Sequence, residues 1–381
     1  MSVIRSSIQS LALFAGTACL LAVPFESRKL SRSRDFLVDW ADVKQPAASE
    51  LAIYREKALH RAKIYEEYIE KQHLERGMVV NRTLHGETID RCDSLLFSAL
   101  RFVALKKLAF TKQASSSWES IEASKFAGQW LRHPLCKNWM SRDMYLGILL
   151  ALSQKPPRFS GHLKDMLAII RESGGYFDSG PIYLSYATPG VAEAIRKLSI
   201  LHSIPISHLP DSVRAGFSTI EWDVLSERFG YQAHLIALRA WLDLEIDEHW
   251  TWRGSQRSIL DSLSAGPLTQ QPLGSQRLQW VARRLYQSNP SNLFFEALYL
   301  RSIQALTEQS RLSLLKKLLA RQEFPETHLP LDCDRSADYL WQRSVSGSMP
   351  AKRCEKQFAG VDYLWALANI LDEKPKQPLG F

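Results

Sequence analysis

Apolar residues along this chain recur every three or four positions, in stretches broken by glycine, proline and polar clusters. That period belongs to amphipathic helices laid on a core. The first such stretch, 47–76, is long and mostly polar, with a partial stripe of Leu51, Tyr54, Leu59, Ile64, Tyr65 and Ile69. Gly77 is placed to cap its C-terminus, and a loop from Asn81 to Gly86 leads into a core helix over Ile89 to Leu108. Further periodic segments cover 118–131, 144–152, 163–171, 189–201, 220–244, 258–263, 278–287, 293–308, 310–321, 337–345 and 361–371. Pro156-Pro157, Gly174-Gly175, Gly266-Pro267 and Asn289-Pro290 punctuate them. Strand-like alternation is confined to YFDSGPIYLSY over 176–186, which predicts a small hairpin. The expected fold is all-α, about a dozen helices in an (α/α) toroid or an irregular helical array. The toroid is preferred, because no repeat signature recurs at fixed spacing.

Composition supports a folded body. Of 381 residues 45% are hydrophobic and 23% charged, and 11 Trp, 12 Tyr and 16 Phe provide ample core material. The N-terminus reads as an export signal: Arg5 precedes the apolar run Leu11 to Val23. That run is shorter than the roughly 20 residues of a comfortable membrane span. The expected organisation is a signal peptide or membrane anchor over 1–26, a basic linker over 27–46 and a single all-helical domain over 47–381. Membrane association would come through the first segment. Cys19 after Gly16-Thr17-Ala18 is a poor lipoprotein acceptor, because the usual leucine three residues earlier is missing. Asn81-Arg82-Thr83 fits a glycosylation acceptor, which matters only on a eukaryotic secretory route.

Loss of the signal leaves four cysteines, Cys92, Cys136, Cys333 and Cys354. In an oxidising compartment the nearer pairs, Cys92 with Cys136 and Cys333 with Cys354, are the expected disulfides. Buried reduced thiols are the alternative.

The net charge of +8 at pH 7 is partly concentrated in Arg28-Lys29-Leu30-Ser31-Arg32-Ser33-Arg34 and otherwise dispersed. A dispersed basic excess favours acidic partners such as anionic glycans. No zinc-finger spacing, base-reading basic helix or basic stripe with aromatic platforms marks a nucleic-acid module. Walker loop, dinucleotide fingerprint, G-x-S-x-G elbow, H-E-x-x-H helix and CxxC array are all absent, so no cofactor and no metal is expected. Acid–base chemistry or binding remains.

Two polar clusters open long apolar helices: Arg91-Cys92-Asp93-Ser94, and Ser141-Arg142-Asp143. Trp130 to Cys136 lies between them and carries His133. If the two helices pack side by side, Asp93 and Asp143 make a carboxylate pair able to work on opposite sides of a glycosidic bond. His133 is then a proton shuttle, while Arg91 and Arg142 orient an anionic or hydroxylated group. Tyr183 and Tyr186 in the glycine-rich loop, with Tyr231 and His234 farther on, supply stacking and cleft-lining groups. Helix capping and ion pairing explain the same clusters without catalysis. The acidic run Asp243 to His249 matches no calcium loop and reads as a solvated helix end. Asn289 to Phe295 reads as a structural helix start.

The layout, with Gly86-Glu87 leading to Arg91-Cys92-Asp93-Ser94, then Ser141-Arg142-Asp143 and a Gly/Tyr loop, resembles (α/α)-toroid carbohydrate-active proteins. The resemblance is one of layout, and no residue role carries over from it. It implies an exported toroid that binds or cleaves a polysaccharide. The rival expectation is a non-enzymatic envelope or secreted scaffold for a protein or peptide partner.

Overall fold

The computed structural model describes residues 48–83, 86–174, 189–204, 232–251, 273–288, 290, 292–320, 356–357 and 359–372, all within one unit, Gln45–Phe381. The export segment, the basic linker, the expected hairpin, Cys333, Cys354, Tyr183, Tyr186 and Tyr231 lie outside the described residues. Eleven helices hold 72% of what is described, and the strands are short, so the chain is all-α in character. None of these helices is long and apolar enough to cross a membrane.

Helix α1 (Ala48–Gln72) runs into two short strands, β1 (Leu74–Glu75) and β2 (Met78–Val79). Next come β3 (Asn81–Thr83), β4 (Thr88–Asp90), α2 (Ser94–Lys107) and α3 (Thr111–Ala123). A meander of β5 (Lys125–Phe126), β6 (Gln129–His133) and β7 (Cys136–Trp139) leads to α4 (Arg142–Ser153) and α5 (Phe159–Glu172). Then follow α6 (Pro189–Leu201), α7 (Gln232–Thr251), α8 (Leu273–Ser288), α9 (Leu293–Ser302) and α10 (Glu308–Ala320). Strand β8 (Lys356–Gln357), which pairs antiparallel with β3, and α11 (Val361–Leu371) complete the order.

Helix α2 is the hub. Its sequence, SLLFSALRFVALKK, is apolar on nearly every face, and twelve of its 14 residues are buried. A helix of that kind has to be surrounded. It packs on α4, α3 and α11 and against strands β2 and β6. The polar residues it does bury are each matched. Ser94 Oγ donates to the Val79 carbonyl, and Ser98 Oγ accepts from the Val79 amide at 2.9 Å, so strand β2 is docked by two serines one turn apart. Arg101 reaches Glu66 on α1, each side chain only 3% exposed, and burial raises the Glu66 pKa against the pull of that arginine.

Pairwise packing runs from α2 to α4, α4 to α7, α7 to α9, α9 to α11 and α11 back to α2. Trp241, Phe294 and Trp365 meet within this circuit at centroid separations of 4.7–6.0 Å. Below the aromatics sits a buried ionic cluster. Lys107 Nζ donates to Glu245, to Asn369 Oδ1 at 2.7 Å and approaches Asp372 at 3.1 Å. Arg301 lies 3.4 Å from Asp372 and 3.8 Å from Glu245, while Gln154 donates to Glu245 at 3.3 Å. Two cations and two carboxylates, Glu245 from within α7 and the others from the ends of α2, α9 and α11, thus neutralise one another.

Three helices close in the same way, and one of them ends short of the sequence pattern. The segment expected over 293–308 stops at Ser302 because Gln304 turns left-handed at φ 57°, and Asn292 caps its start by accepting from Phe294 N and Phe295 N. Ala109 (φ 60°) and Ser203 (φ 56°) do the same after α2 and α6. In each case the next residue's amide bonds back five positions, Phe110 to Leu105, Ile204 to Ser199 and Ala305 to Leu300, which is the Schellman closure without its glycine.

Replacing Lys107 by Met leaves the buried Glu245 and Asp372 to share the single cation Arg301. The expected cost is about 3–5 kcal/mol in urea unfolding. Replacing Cys92 and Cys136 together by Ser, which opens a link across a sequence separation of 44, should lower stability by about 3–4 kcal/mol in the same assay.

Candidate functional site

Two hairpins build the end at which α2 and α4 begin. Arg76 and Gly77 turn the first at φ 52° and 75°, and Ala127 and Gly128 turn the second at φ 48° and 83°. Positive φ at both central positions suits a tight two-residue hairpin, and glycine supplies the second of each pair. Gly77 is also required by space, because a Cβ there would lie 2.1 Å from Ser120 Oγ on α3. Its predicted place as the cap of α1 is therefore corrected, since α1 ends at Gln72. The helix expected over 118–131 likewise stops at Ala123, and Trp130 and Leu131 enter strand β6.

A disulfide joins the approach to α2 to strand β7, which leads into α4. Cys92 and Cys136 are bonded with their Cα atoms 5.7 Å apart, as the spacing predicts. Gly147 on α4 lets the two backbones approach: a Cβ there would meet Leu96 Cδ1 at 2.8 Å and Leu96 Cα at 3.4 Å. Helices α2 and α4 therefore run side by side with their N-termini at one end.

At that end Arg91 grips Glu75 through two hydrogen bonds, 2.5 and 2.8 Å long, and these hold the Glu75 carboxyl below the usual carboxylate range. His133 is fully buried. Its Nδ1 accepts from the Leu135 amide at 3.0 Å, so the proton resides on Nε2, which donates to the Glu75 carbonyl at 3.1 Å. Burial lowers its pKa despite the Glu75 carboxylate 3.7 Å away. Both ring nitrogens of the expected proton shuttle thus bind backbone, and they tie the second hairpin to the first.

Asp93 is the accessible carboxylate, its side chain 33% exposed, with Arg132 Nη1 at 3.8 Å. Arg132 also donates to the Cys92 carbonyl at 3.4 Å. Asp143 is buried and accepts from the Ser141 hydroxyl. Ser141 and Asp93 hold the positions preceding their helices, yet neither side chain caps its helix through a hydrogen bond. The structure therefore brings Arg91, Asp93, His133 and the disulfide into one neighbourhood and sets Asp143 on the adjoining helix start. Arg142 opens α4 and His234 sits in the first turn of α7, both with side chains outside the described residues.

Sequence reasoning missed the partners. Glu75 sits immediately before the Arg76-Gly77 turn, but nothing local announces that it serves both Arg91 and His133. His73 is a second buried imidazole here: Nδ1–H donates to the Val80 carbonyl at 2.9 Å and Nε2 accepts from the Tyr68 hydroxyl at 2.9 Å. A third missed cluster flanks the second hairpin. His162 donates from Nε2 to Glu122 at 2.6 Å and accepts at Nδ1 from Lys125 at 3.0 Å, between the rings of Trp118 and Trp130. Lys125 lies 4.6 Å over the Trp130 ring and 2.6 Å from Asp165. Burial pushes the Glu122 pKa up, and hydrogen bonds from Arg158 and His162 outweigh it to leave the carboxyl low.

Burial pushes His73 down from 6.5 to about 4. The unfolded chain takes up that proton first, so the stability is complete above pH 6.5 and falls as pH drops toward 4. The expected loss is about 3 kcal/mol from this group. Urea midpoints measured against pH should show a steeper acid limb in the native chain than in His73→Gln, and equal limbs would refute a neutral buried His73.

Comparison with family models, curated proteins and solved structures finds no match, so the capability of this end is read from its own residues.

Proposed function

We propose that the chain is an exported (α/α) toroid that binds or cleaves an anionic polysaccharide at the disulfide-joined end of α2 and α4. One observation supports the reading: the Cys92–Cys136 bond ties the approach to α2, beside Arg91 and Asp93, to the strand that leads into α4, whose first turn carries Asp143. The closed sequence of contacts through α2, α4, α7, α9 and α11 supports a ring of inner helices. The disulfide supports an oxidising compartment. The positive ends of the two helix dipoles favour anionic oxygens, and the arginines add fixed positive charge.

The two carboxylates differ in setting. Asp93 is open and beside the Arg132 guanidinium, and it is assigned the part of a base or a stabiliser of positive charge in the sugar ring. Asp143 is enclosed and accepts from the Ser141 hydroxyl, so it is the second carboxylate of the proposed pair, on the neighbouring helix start. Arg91 and His133, through Glu75, fix the hairpins that frame them. Tyr183, Tyr186, Tyr231 and His234 retain their proposed role in stacking on sugar rings and lining the cleft.

Asp93→Asn and Asp143→Asn should each reduce release of reducing ends from acidic polysaccharides by about a hundredfold or more, with unfolding midpoints preserved. Unchanged turnover in either variant removes that residue from the chemistry.

A second reading, a non-enzymatic scaffold for a protein partner, is favoured by Phe126 and Leu135, which are 65% and 51% exposed on the meander. Under it the native chain releases no sugar from any polysaccharide, and Phe126→Asp with Leu135→Asp abolishes crosslinking to the partner in cells.

A further inference from the structure

The second hairpin is fastened to α5 through a charged seam. Lys125 on β5 reaches both His162 and Asp165 of α5, and the Trp130 ring on β6 lies 5.3 Å from the His162 ring. Phe126, the apolar side chain of β5, is turned to solvent instead. The grip of β5 on α5 therefore rests on polar contacts, which a change of charge can undo.

The protons at this seam have one arrangement. Because Lys125 Nζ can only give, His162 Nδ1, 3.0 Å away, is bare, and the ring's proton sits on Nε2, 2.6 Å from Glu122. A further proton can enter only at Nδ1. There it points at the Lys125 ammonium, so a hydrogen bond is replaced by two donors of like charge at close range. The charged groups around the ring are Glu122 from α3, Lys125 from β5 and Arg158 from the turn before α5. Arg158 also holds Glu122 at 2.6 Å, which keeps that carboxylate in place. Lys125, by contrast, has a second acceptor in the half-exposed Asp165, 2.6 Å away. It can leave the imidazole and keep an ion pair.

We propose that Lys125 and His162 form an acid-released latch, in which protonation of His162 at Nδ1 drives Lys125 onto Asp165 and raises the open population of the β5–β6 hairpin. Lys125 lies 4.6 Å over the Trp130 ring, so its departure loosens the tryptophan that seats β6 as well. Burial holds the His162 pKa below 6.5, Glu122 pulls the other way, and Lys125 and Arg158 add to the lowering. In the open hairpin the ring is wetted and takes up its proton first. The latch is therefore whole above pH 6.5 and weakens as pH falls below it. Strand β6 also carries Arg132 to Asp93, so release is felt at the disulfide-joined end, yet the latch does not depend on what that end binds.

Hydrogen exchange on the full chain, corrected for the pH dependence of the chemical rate, tests this at the Leu131 amide, which donates to the Ser124 carbonyl across the hairpin at 3.0 Å. Between pH 7 and pH 5 its protection should fall about tenfold more than that of the α2 amides, which report opening of the whole body. His162→Gln, whose amide accepts from Lys125 and donates to Glu122 without titrating, should remove this excess. Lys125→Met, which keeps the imidazole and takes away the ammonium facing it, should shrink the excess by about half or more. An excess that persists in His162→Gln overturns the proposal, as does one undiminished in Lys125→Met. Equal falls at Leu131 and in α2 of the native chain also overturn it, because acid then opens the molecule and not the hairpin. Should His162→Gln fail to fold, the native chain and Lys125→Met decide the matter between them.

Discussion

The buried ammonium of Lys107 is the constraint on which the rest of the molecule depends. A lysine at the C-terminal turn of an otherwise apolar helix is stable inside a protein only when acceptors surround it. Here the acceptors come from α7 and α11, in Glu245, Asn369 and Asp372. Arg301 from α9 and Gln154 at the end of α4 complete the shell. Each carboxylate is therefore shared between cations, and no helix of the circuit can move alone without stranding a charge. The hydrophobic contacts of Trp241, Phe294 and Trp365 drive the helices together, while the ionic cluster specifies which ends must coincide.

At its other end α2 is held by different means. The Cys92–Cys136 bond ties its start to the approach to α4, and Ser94 and Ser98 fasten strand β2 to its first turns. Glu75 then works as a junction: its carboxylate takes Arg91 and its carbonyl takes His133. Fixing both ends of the hub helix leaves Asp93 on a rigid support, which is what an acid–base or binding group needs.

Much of this was legible in the sequence. The 3.6-residue period located α5, α6, α8, α10 and α11 closely, and Cys92 with Cys136 followed from their nearness. The Asn292 cap was readable because its side chain acts locally. The end of α9 was misplaced because the chain turns left-handed at Gln304 without glycine, so the usual punctuation is absent. The two hairpins were hidden for a related reason. Each strand is only two to five residues long, too short for alternation to rise above the helical period of its neighbours. Partners such as Glu75 for Arg91 or Glu245 for Lys107 are separated by 16 and 138 residues, and only tertiary packing creates them.

The contact between His162 and Lys125 has a consequence for how the second hairpin finds its place. Because an ammonium can only donate, the imidazole must accept on one nitrogen and give on the other, so the ring has a single workable orientation between Lys125 and Glu122. A hairpin slipped by one residue would present a backbone or the wrong side chain to that lone pair and carry Trp130 away from its slot beside Trp118. The relay thus acts as a register lock, in which mispaired arrangements are excluded by an unfilled lone pair as much as by a lost aromatic contact.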